Sequence, residues 1–426
     1  MTDQQFPRHD ARARALLRAM FDAAVASADP GKVVAPHLPR PPTGRCVVVG
    51  AGKAAAAMAA AVEAAWPDVP LSGVVVTPYG YGVETRRIQV RSAAHPVPDA
   101  NSEAAAREIL AAVRGLREED LVLVLISGGG SSVMASPAEG ITLADKQAVN
   151  RLLLTSGLDI RTMNAVRRRL SAIKGGKLAV AAAPAQVVTL GISDIPGDDV
   201  AAIASGPSVP DVTASLDLAE VVRVLGPALP AAAARRLLAV EPPAPLPARV
   251  DFRLVGTPAA ALAAAAAVAR AEGIEPVILG DDLEGESHEL GTDMARLTLQ
   301  PIDRPTVYLS GGETTVTLAG GSTGVGGRNT ELLLSLAIAL NGRAGVWSLA
   351  ADTDGEDGAS RAAGAVAGPD TIARATAKAL DPAGFLREHD SGSFFAALGD
   401  LLVTGPTRTN VNDFRAILVL PQGATL

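Results

Sequence analysis

Residues 121–126 (Leu-Val-Leu-Val-Leu-Ile) are six consecutive apolar residues, and they lead directly into Ser127-Gly128-Gly129-Gly130-Ser131-Ser132. An apolar run of this length without polar alternation is typical of a strand buried on both faces of a parallel sheet. Three adjacent glycines leave backbone N–H groups uncovered, so that an anion can approach them closely. Together the two features predict a strand of an open α/β sheet with a ligand-binding loop at its carboxyl end. A flexible turn is the alternative interpretation of the loop.

Apolar runs alternate with segments of helical period along most of the chain, which is the order expected of βαβ units. Strands are predicted at residues 45–49, 73–77, 121–126, 186–191, 252–255, 276–279 and from 306, the last with a hairpin partner at 314–318. Prolines crowd residues 241–247, which we interpret as a linker. Because 426 residues exceed one comfortable core, we predict two domains. They are a Rossmann-like domain over residues 1–245, with a mostly parallel sheet flanked by helices, and a C-terminal α/β domain over residues 250–426.

The composition narrows the class of protein. Only 3% of the residues are aromatic and the net charge is −7, so the chain lacks both the stacking side chains and the basic field of nucleic-acid binders. No apolar run reaches the length of a membrane span, and the polar start does not resemble a secretory signal. The single cysteine, Cys46, can form no internal disulfide. A cytoplasmic enzyme is therefore expected, acting on a small molecule; the oligomeric state is left open, with a homo-oligomer as one option.

A second glycine loop, Gly50-Ala51-Gly52-Lys53-Ala54-Ala55, follows the strand predicted at 45–49 and has the spacing of a dinucleotide-binding turn. No acidic residue ends the next strand to bind a ribose, and the loop lacks the glycine and hydroxyl of a Walker A motif. Lys53 lies in the first turn of a predicted helix, where a lysine is favourable only beside an anion. We interpret Lys53 as a phosphate or carboxylate ligand, with a surface lysine as the alternative.

Arg328 lies among glycines at the start of another predicted helix, in Gly326-Gly327-Arg328-Asn329. Its planar fork is suited to clamping a phosphoryl group, and an exposed arginine in a loop is the alternative. Asp194, Asp352 and Asp354 follow predicted strands. Carboxylates at that end of a sheet are ligands for Mg²⁺ bound with substrate phosphates, although turn formation explains single aspartates equally well.

Other polar residues receive structural interpretations. His95, in His95-Pro96-Val97-Pro98-Asp99, is interpreted as part of a shaped loop rather than as a catalytic base. A Ser-His-Asp hydrolase is disfavoured because no Gly-x-Ser-x-Gly elbow surrounds Ser131 or Ser132. At least one arginine of Arg167-Arg168-Arg169 is expected on a solvated helix face.

Several motifs in the same order resemble the class II glycerate kinases, or glycerate 2-kinases, whose C-terminal portion is the MOFRL domain. Besides the two glycine loops, the motifs that carry this resemblance are His95-Pro96-Val97-Pro98-Asp99, Ser193-Asp194-Ile195-Pro196-Gly197-Asp198, Ser205-Gly206-Pro207, Gly326-Gly327-Arg328-Asn329, Asp352-Thr353-Asp354-Gly355 and Thr404-Gly405-Pro406-Thr407-Arg408-Thr409-Asn410-Val411-Asn412-Asp413.

The resemblance implies ATP-dependent, Mg²⁺-assisted phosphorylation of D-glycerate at its 2-hydroxyl, in a cleft between two domains, with Lys53 and Arg328 as the catalytic cations. From residue chemistry we add Asp194 as a catalytic or metal residue, Asp352 and Asp354 as metal ligands, and a set of cofactor-binding residues. That set is Gly50, Gly52, Ser127, Gly128, Gly129, Gly130, Ser131, Ser132, Gly326, Gly327 and Asn329. Two alternatives remain open, an NAD(P)H-dependent hydroxypyruvate reductase and a non-catalytic nucleotide- or phosphate-binding module.

Overall fold

The computed structural model describes residues 6–239, 245–247, 249–318 and 323–424, which form two compact units. The N-terminal unit comprises Pro30–Asp194 and Asp198–Val255. The C-terminal unit comprises Ile195–Gly197, the chain from Gly256 onward, and the first helix, α1 (Phe6–Ala26). Residues 241–244 of the predicted linker lie outside the described residues, and the domain boundary between 245 and 250 stays a prediction.

Six strands form the sheet of the N-terminal unit in the order β3-β2-β1-β4-β5-β6. They are β1 (Cys46–Ala51), β2 (Leu71–Pro78), β3 (Gln89–Ala93), β4 (Leu121–Ile126), β5 (Gln186–Ile192) and β6 (Val250–Gly256). The pairs from β3 through β5 are all parallel. Every residue of β1 and β4 is buried, because their apolar runs face helices on both sides. The predicted α/β class, with a mostly parallel first sheet, is confirmed.

Helices connect these strands. They are α2 (Pro30–Val33), α3 (Ala55–Ala65), α4 (Ala100–Ala112), α5 (Gly130–Val133), α6 (Leu143–Leu154), α7 (Ile160–Arg169), α8 (Lys177–Ala182), α9 (Ala219–Leu225) and α10 (Ala231–Leu238). Of these, α4, α6 and α7 begin at residues whose side chains cap them. Thr142 and Asp145 form the predicted capping box, because each side chain accepts the backbone N–H of the other.

The C-terminal unit contains a second sheet of six strands, in the order β13-β12-β11-β14-β9-β7, and a two-stranded β10-β8 pair. The strands are β7 (Glu275–Gly280), β8 (Gly285–Glu286), β9 (Thr306–Ser310), β10 (Thr314–Thr315), β11 (Val346–Asp352), β12 (Gly364–Ala367), β13 (Leu401–Leu402) and β14 (Asp413–Val419). The helices are α11 (Pro258–Ala271), α12 (Ser287–Leu297), α13 (Arg328–Leu340), α14 (Thr371–Ala377), α15 (Pro382–Arg387) and α16 (Ser391–Leu398).

The second sheet is mixed, and two expectations for this part of the chain are wrong. Only β7 and β9 pair in parallel, while the other neighbours are antiparallel. The last strand, β14, inserts between β9 and β11, an order that local patterning does not encode. The predicted hairpin is wrong, since β10 pairs with β8 instead of β9. The strand predicted at 252–255 completes the first sheet as β6 rather than opening the second.

Helix α1 packs on the second sheet although it precedes the first in sequence. The rings of Phe21 and Phe414 meet edge to face with centroids 6.0 Å apart. The indole of Trp347 in β11 donates to the carboxylate of Asp10 at 2.9 Å. Among the described residues, no helix combines the length and the hydrophobicity that crossing a membrane requires.

Candidate active site

The loops that follow β1 and β4 lie side by side at the carboxyl edge of the first sheet. The strand order places the reversal of winding between β1 and β4, where α/β folds bind their ligands. The Lys53 N–H donates to the Gly128 carbonyl at 2.8 Å, and the Ala54 N–H donates to the Ser127 hydroxyl at 2.9 Å. The Ser127 N–H in turn donates to the Ala51 carbonyl at 3.1 Å. The two loops are therefore one hydrogen-bonded unit, and the amides of residues 53 and 54 already have acceptors.

Close approach of these loops explains the glycine at position 52. A Cβ on Gly52 would stand 2.3 Å from the hydroxyl of Ser127, and its φ of +130° also excludes most side chains. Gly50 lies within β1. The structure shows that both glycines are needed for close packing, because a Cβ at either position would meet a neighbouring residue. A binding role for Gly50 and Gly52 stays a prediction.

The side chains of Lys53 and His95 flank Gly129. A Cβ on Gly129 would lie 3.6 Å from Lys53 Cγ and 3.4 Å from His95 Nδ1. His95 Nδ1 lies 2.7 Å from the Ser132 hydroxyl, which itself donates to the Gly129 carbonyl at 3.0 Å, so Nδ1 is the donor of this pair. His95 thus contacts the glycine loop and does more than shape its own turn. The backbone amides of Gly128 and Gly129 have no backbone acceptor among the described residues.

Asp194 reaches the same edge of the sheet, two residues beyond the end of β5, which pairs with β4. It is half-buried. The structure therefore brings Lys53, the loop at 127–132 and Asp194 to the carboxyl ends of three adjacent strands, as the sequence predicted. Their catalytic and cofactor-binding roles stay predictions.

The sequence analysis did not identify Lys174, which anchors the glycine loop at 127–132 through Ser131. Lys174 Nζ donates to the Ser131 carbonyl at 2.8 Å and to the Ser131 hydroxyl at 2.7 Å, and that hydroxyl lies 2.7 Å from the hydroxyl of Ser205. Lys174 is only 4% exposed, and its burial lowers its pKa well below the usual range. Ser205 and its neighbour Ala204 have φ of +61° and +49°, a left-handed conformation that costs about 1 kcal/mol per residue. The surroundings maintain this contact against backbone strain.

A cavity of about 340 Å³ adjoins the glycine loop within the N-terminal unit. Three cations line it: Lys146 from α6, Arg167 from α7, and Lys174. Burial, followed by repulsion from Lys177 and Arg167, lowers the pKa of Lys146 to about 7. The other residues that line the cavity are His95, Pro96, Pro98, Gly129, Ser131, Ser132, Ala135, Val149, Asn150, Leu153, Leu154 and Leu170.

Of the arginines 167–169, only Arg167 is partly exposed, so the expectation of a solvated arginine is left to that position. Arg168 and Arg169 are each only 5% exposed. Arg169 donates to four backbone carbonyls, those of residues 214, 216, 237 and 239, while Arg168 donates to the Ala201 carbonyl at 2.7 Å. Both arginines donate to backbone carbonyls of irregular segments and so hold these segments in place. The spacing of residues along a helix does not show which carbonyls need such a donor, so the burial of these arginines could not be read from the sequence.

The C-terminal unit presents a different electrostatic environment around Arg328. Each guanidinium nitrogen meets one carboxylate: Nε donates to Asp413 at 2.9 Å, one terminal nitrogen to Asp352 at 2.8 Å, and the other to Glu313 at 2.5 Å. We call Glu313, Asp352 and Asp413 the carboxylate ring. Burial by itself would lower the pKa of Arg328, but the attraction of the three carboxylates is larger, and the pKa of Arg328 is raised. Arg328 is therefore fully engaged, and only Glu313 of its partners is largely exposed.

Asp357 holds the start of α13, where Arg328 and Asn329 lie. Its carboxylate accepts the backbone N–H groups of Asn329 and Thr330, both at 2.9 Å, and the Thr330 hydroxyl at 2.8 Å. Burial raises the pKa of Asp357 to about 6 against these bonds, which lower it. A Cβ on Gly327 would lie 2.3 Å from the Asp357 carboxyl carbon, and Asn329 donates to Asp413 at 2.7 Å. Gly327 and Asn329 thus have packing roles, and Gly326 accepts the Ala359 N–H at 2.9 Å.

The same unit offers hard oxygen donors for a metal ion. No group of three or more His, Cys, Asp or Glu side chains among the described residues is arranged as a metal site. However, the carboxylate ring sets three acids against Arg328, and the buried Asp354 adds another nearby, its N–H donating to Asp352 at 3.0 Å. Mg²⁺ takes one or two carboxylates together with water and phosphate oxygens, so Asp352 and Asp354 have the chemistry of its ligands. Their binding of a metal ion stays a prediction.

A lysine and a glycine loop at the switch point of a doubly wound sheet are typical of α/β proteins that bind phosphates or other anions. Family comparisons narrow this class. Residues 16–238 match the family described as "Domain of unknown function (DUF4147)", and residues 306–413 match the MOFRL family.

Individual relatives agree with this assignment. A D-glycerate 2-kinase from Thermotoga maritima is 38% identical, over 90% of this chain and 93% of its own length. A crystal structure of a glycerate kinase from the same organism superposes with a TM-score of 0.87 at 36% identity, covering 96% of this chain and all of that one. An Agrobacterium vitis protein, 55% identical over 96% of this chain and 95% of its own, is provisionally named a hydroxypyruvate reductase. The chain belongs to the glycerate 2-kinase family with a MOFRL domain, and the resemblance inferred from the motifs is confirmed.

Proposed function

We propose that this protein transfers the γ-phosphoryl group of ATP to the 2-hydroxyl of D-glycerate, with Mg²⁺, to give 2-phosphoglycerate and ADP. The observation that carries the proposal is the pairing of Lys53 with the glycine loop at 127–132, at the point of the sheet where α/β folds bind ligands. The glycerate 2-kinase relatives supply the reaction class. A cytoplasmic location belongs to the same proposal, since ATP is the donor.

In this reaction the 2-hydroxyl oxygen forms a bond to the γ-phosphorus while the bond from that phosphorus to the ADP oxygen breaks. The hydroxyl proton passes to a base, for which Asp194 is our candidate. Phosphoryl transfer is accelerated mainly by positioning and by stabilising charge on the phosphoryl oxygens. Lys53 supplies a positive charge, and the amides of Gly128 and Gly129 supply donors. Arg328 is the second cation of the proposal.

Mg²⁺, when bound with the nucleotide, would neutralise charge on the phosphates. Asp352 and Asp354 would hold it, with Asp194 as a further candidate. Binding of a cation to Asp352 would also release one of the three carboxylates that engage Arg328. Lys53→Met and Arg328→Ala test the two proposed catalytic cations separately.

The reductase named for the Agrobacterium relative is the competing activity. A dinucleotide-binding turn presents free amides to a pyrophosphate, whereas here the amides of residues 53 and 54 donate to Gly128 and Ser127. This engagement favours the kinase.

The direct experiment incubates the purified full chain with D-glycerate, ATP and Mg²⁺ and adds enolase without a phosphoglycerate mutase. Enolase consumes only the 2-phospho isomer, so formation of phosphoenolpyruvate identifies the 2-hydroxyl as the acceptor. A parallel reaction follows NADH or NADPH with hydroxypyruvate. Oxidation of the reduced nucleotide, without product from glycerate and ATP, would replace the kinase with the reductase. Nucleotide binding without either turnover would favour a non-catalytic module.

A further inference from the structure

We propose that the cavity lined by Lys146, Arg167 and Lys174 is the site that binds the carboxylate of the acceptor, a small hydroxy acid. This inference rests on the proposed function for the identity of the acid. It assigns a role to three cations, in the segments 143–154 and 160–177, that the kinase chemistry described above leaves unused.

The charge balance of the segment points to an anion. Residues 160–193 contain six arginines and lysines and no acidic residue, in a chain whose net charge is −7. The signal is visible in the sequence once the segment is known to line a cavity. A cluster of this kind inside a fold is unfavourable unless a negative charge joins it.

The partners of the three cations are all neutral oxygens in the described residues. Lys146 donates to the Leu170 carbonyl at 3.0 Å, and Lys174 donates to both oxygens of Ser131. Arg167 donates to the amide oxygens of Asn150, at 3.0 and 3.3 Å, and Asn164, at 3.2 Å. Their neighbour Arg168 pairs with Asp211 at 3.5 Å, whereas in the part of the chain that the structure describes none of the three forms an ion pair with a carboxylate. The cavity therefore gathers three basic groups whose described partners include no carboxylate.

The pKa values agree with this picture. Burial lowers the pKa of Lys146, Lys174 and Arg167, and mutual repulsion lowers those of the two lysines further. A carboxylate bound among them would oppose both causes and raise the pKa values. Binding of the acid is then coupled to proton uptake near neutral pH, because Lys146 titrates near 7.

The size and lining of the cavity fit a small organic acid. Its volume of about 340 Å³ lies at the lower end of small-molecule sites, and Val149, Leu153 and Leu170 exclude water from one side. Low polarity strengthens the attraction between a carboxylate and the ammonium groups.

The cavity is also lined by Gly129, which lies between the side chains of Lys53 and His95. An acid whose carboxylate meets Lys146 and Arg167 can therefore direct its hydroxyl toward the glycine loop. This contiguity connects substrate binding to the proposed reaction.

The first experiment measures binding of D-glycerate by calorimetry, without nucleotide, to the wild type and to Lys146→Met and Arg167→Met. Arg151→Met, which removes an exposed cation of the same helix α6, is the matched control. We expect each cavity variant to weaken binding about 10- to 100-fold, as loss of one charge-assisted hydrogen bond does. The control should bind as the wild type does, and D-glyceramide, which lacks the charge, should not bind. Equal affinity in all variants would overturn the proposal.

Steady-state kinetics separate a carboxylate site from a phosphate site. The KM for glycerate should rise in the cavity variants, while the KM for ATP changes less than about twofold. A rise confined to the KM for ATP would assign the cavity to the nucleotide and overturn the proposal. If the wild type phosphorylates nothing, the proposed function fails, but the calorimetric result for glycerate or hydroxypyruvate still decides the anion site.

A pH series provides a readout that a purely structural role would not change. The groups around Lys146 are Arg167 of α7, Lys174, Lys177 of α8 and His95 of the loop before α4. Above pH 7 the free Lys146 loses its proton, so the dissociation constant for glycerate should rise with pH. Lys146→Arg should retain binding and lose this dependence between pH 7 and 8.5. A wild type with no dependence in that range would contradict the role of Lys146.

Discussion

The two halves of the protein carry opposite electrostatic surpluses around their candidate residues. In the N-terminal unit, Lys146, Arg167 and Lys174 meet only neutral oxygens. In the C-terminal unit, Arg328 meets the three acids of the carboxylate ring. The first arrangement has basic groups in excess, as the proposed binding of an acid requires, whereas in the second the acids outnumber the arginine that they contact.

The comparison predicts that the two proposed catalytic cations differ in their structural importance, and Arg328→Ala should have the larger effect. Besides lowering kcat about 100- to 1000-fold, it leaves the buried carboxylate of Asp352 without its arginine, whereas Asp413 keeps its ion pair with Arg415 at 2.7 Å. Removing one member of a buried ion pair costs about 3 kcal/mol or more of unfolding free energy. Urea denaturation and the enolase assay measure the two effects. Arg343→Ala, an exposed arginine of the same unit, is the control, and an unchanged unfolding midpoint in Arg328→Ala would show that the ring is not a structural unit.

Lys53→Met should affect catalysis alone. We expect kcat to fall about 100- to 1000-fold because a positive charge near the phosphoryl group is lost, while the urea midpoint stays close to that of the wild type. Lys32→Met removes an exposed lysine of α2 and should leave both values unchanged. A wild-type rate in Lys53→Met would remove Lys53 from the proposed site.

Asp357 tests the C-terminal unit through pH. Its pKa is about 6 in the folded protein and 3.8 in the unfolded chain, so its contribution to stability is present below pH 3.8 and is lost as pH rises through 6. The unfolding free energy of the wild type, minus that of Asp357→Asn, should therefore fall by about 3 kcal/mol between pH 3.5 and pH 7. Asp381→Asn, at an exposed position, should show no such trend. A difference that rises with pH would mean that the carboxylate is stabilised by its charge.

The smallest effect is expected at the contact between the two N-terminal loops. Ser127→Ala removes the acceptor of the Ala54 N–H in a buried position and should lower the unfolding free energy by about 1–2 kcal/mol. Ser72→Ala, at an exposed serine of β2, is the control. Equal stability of the two variants would show that the loops do not depend on this bond.

Much of the N-terminal unit could be predicted because its signals are local. The apolar runs of β1, β4 and β5, the capping box at Thr142, and the glycine loops after β1 and β4 were all found in the sequence. The mixed second sheet could not, because β14 takes its place between β9 and β11 only through long-range pairing. The burial of Arg168 and Arg169 could not be predicted for the same reason, since their acceptors lie on distant segments.

The sequence by itself determined the α/β class, the glycine loops and the family, because each depends on residues that are neighbours in the chain. Only the tertiary structure decided how the charges are matched. Lys174 meets Ser131 across 43 residues, and Arg328 meets Asp413 across 85. Whether a buried cation is neutralised depends on what folding places beside it, and this difference separates the anion-attracting cavity of one unit from the carboxylate ring of the other.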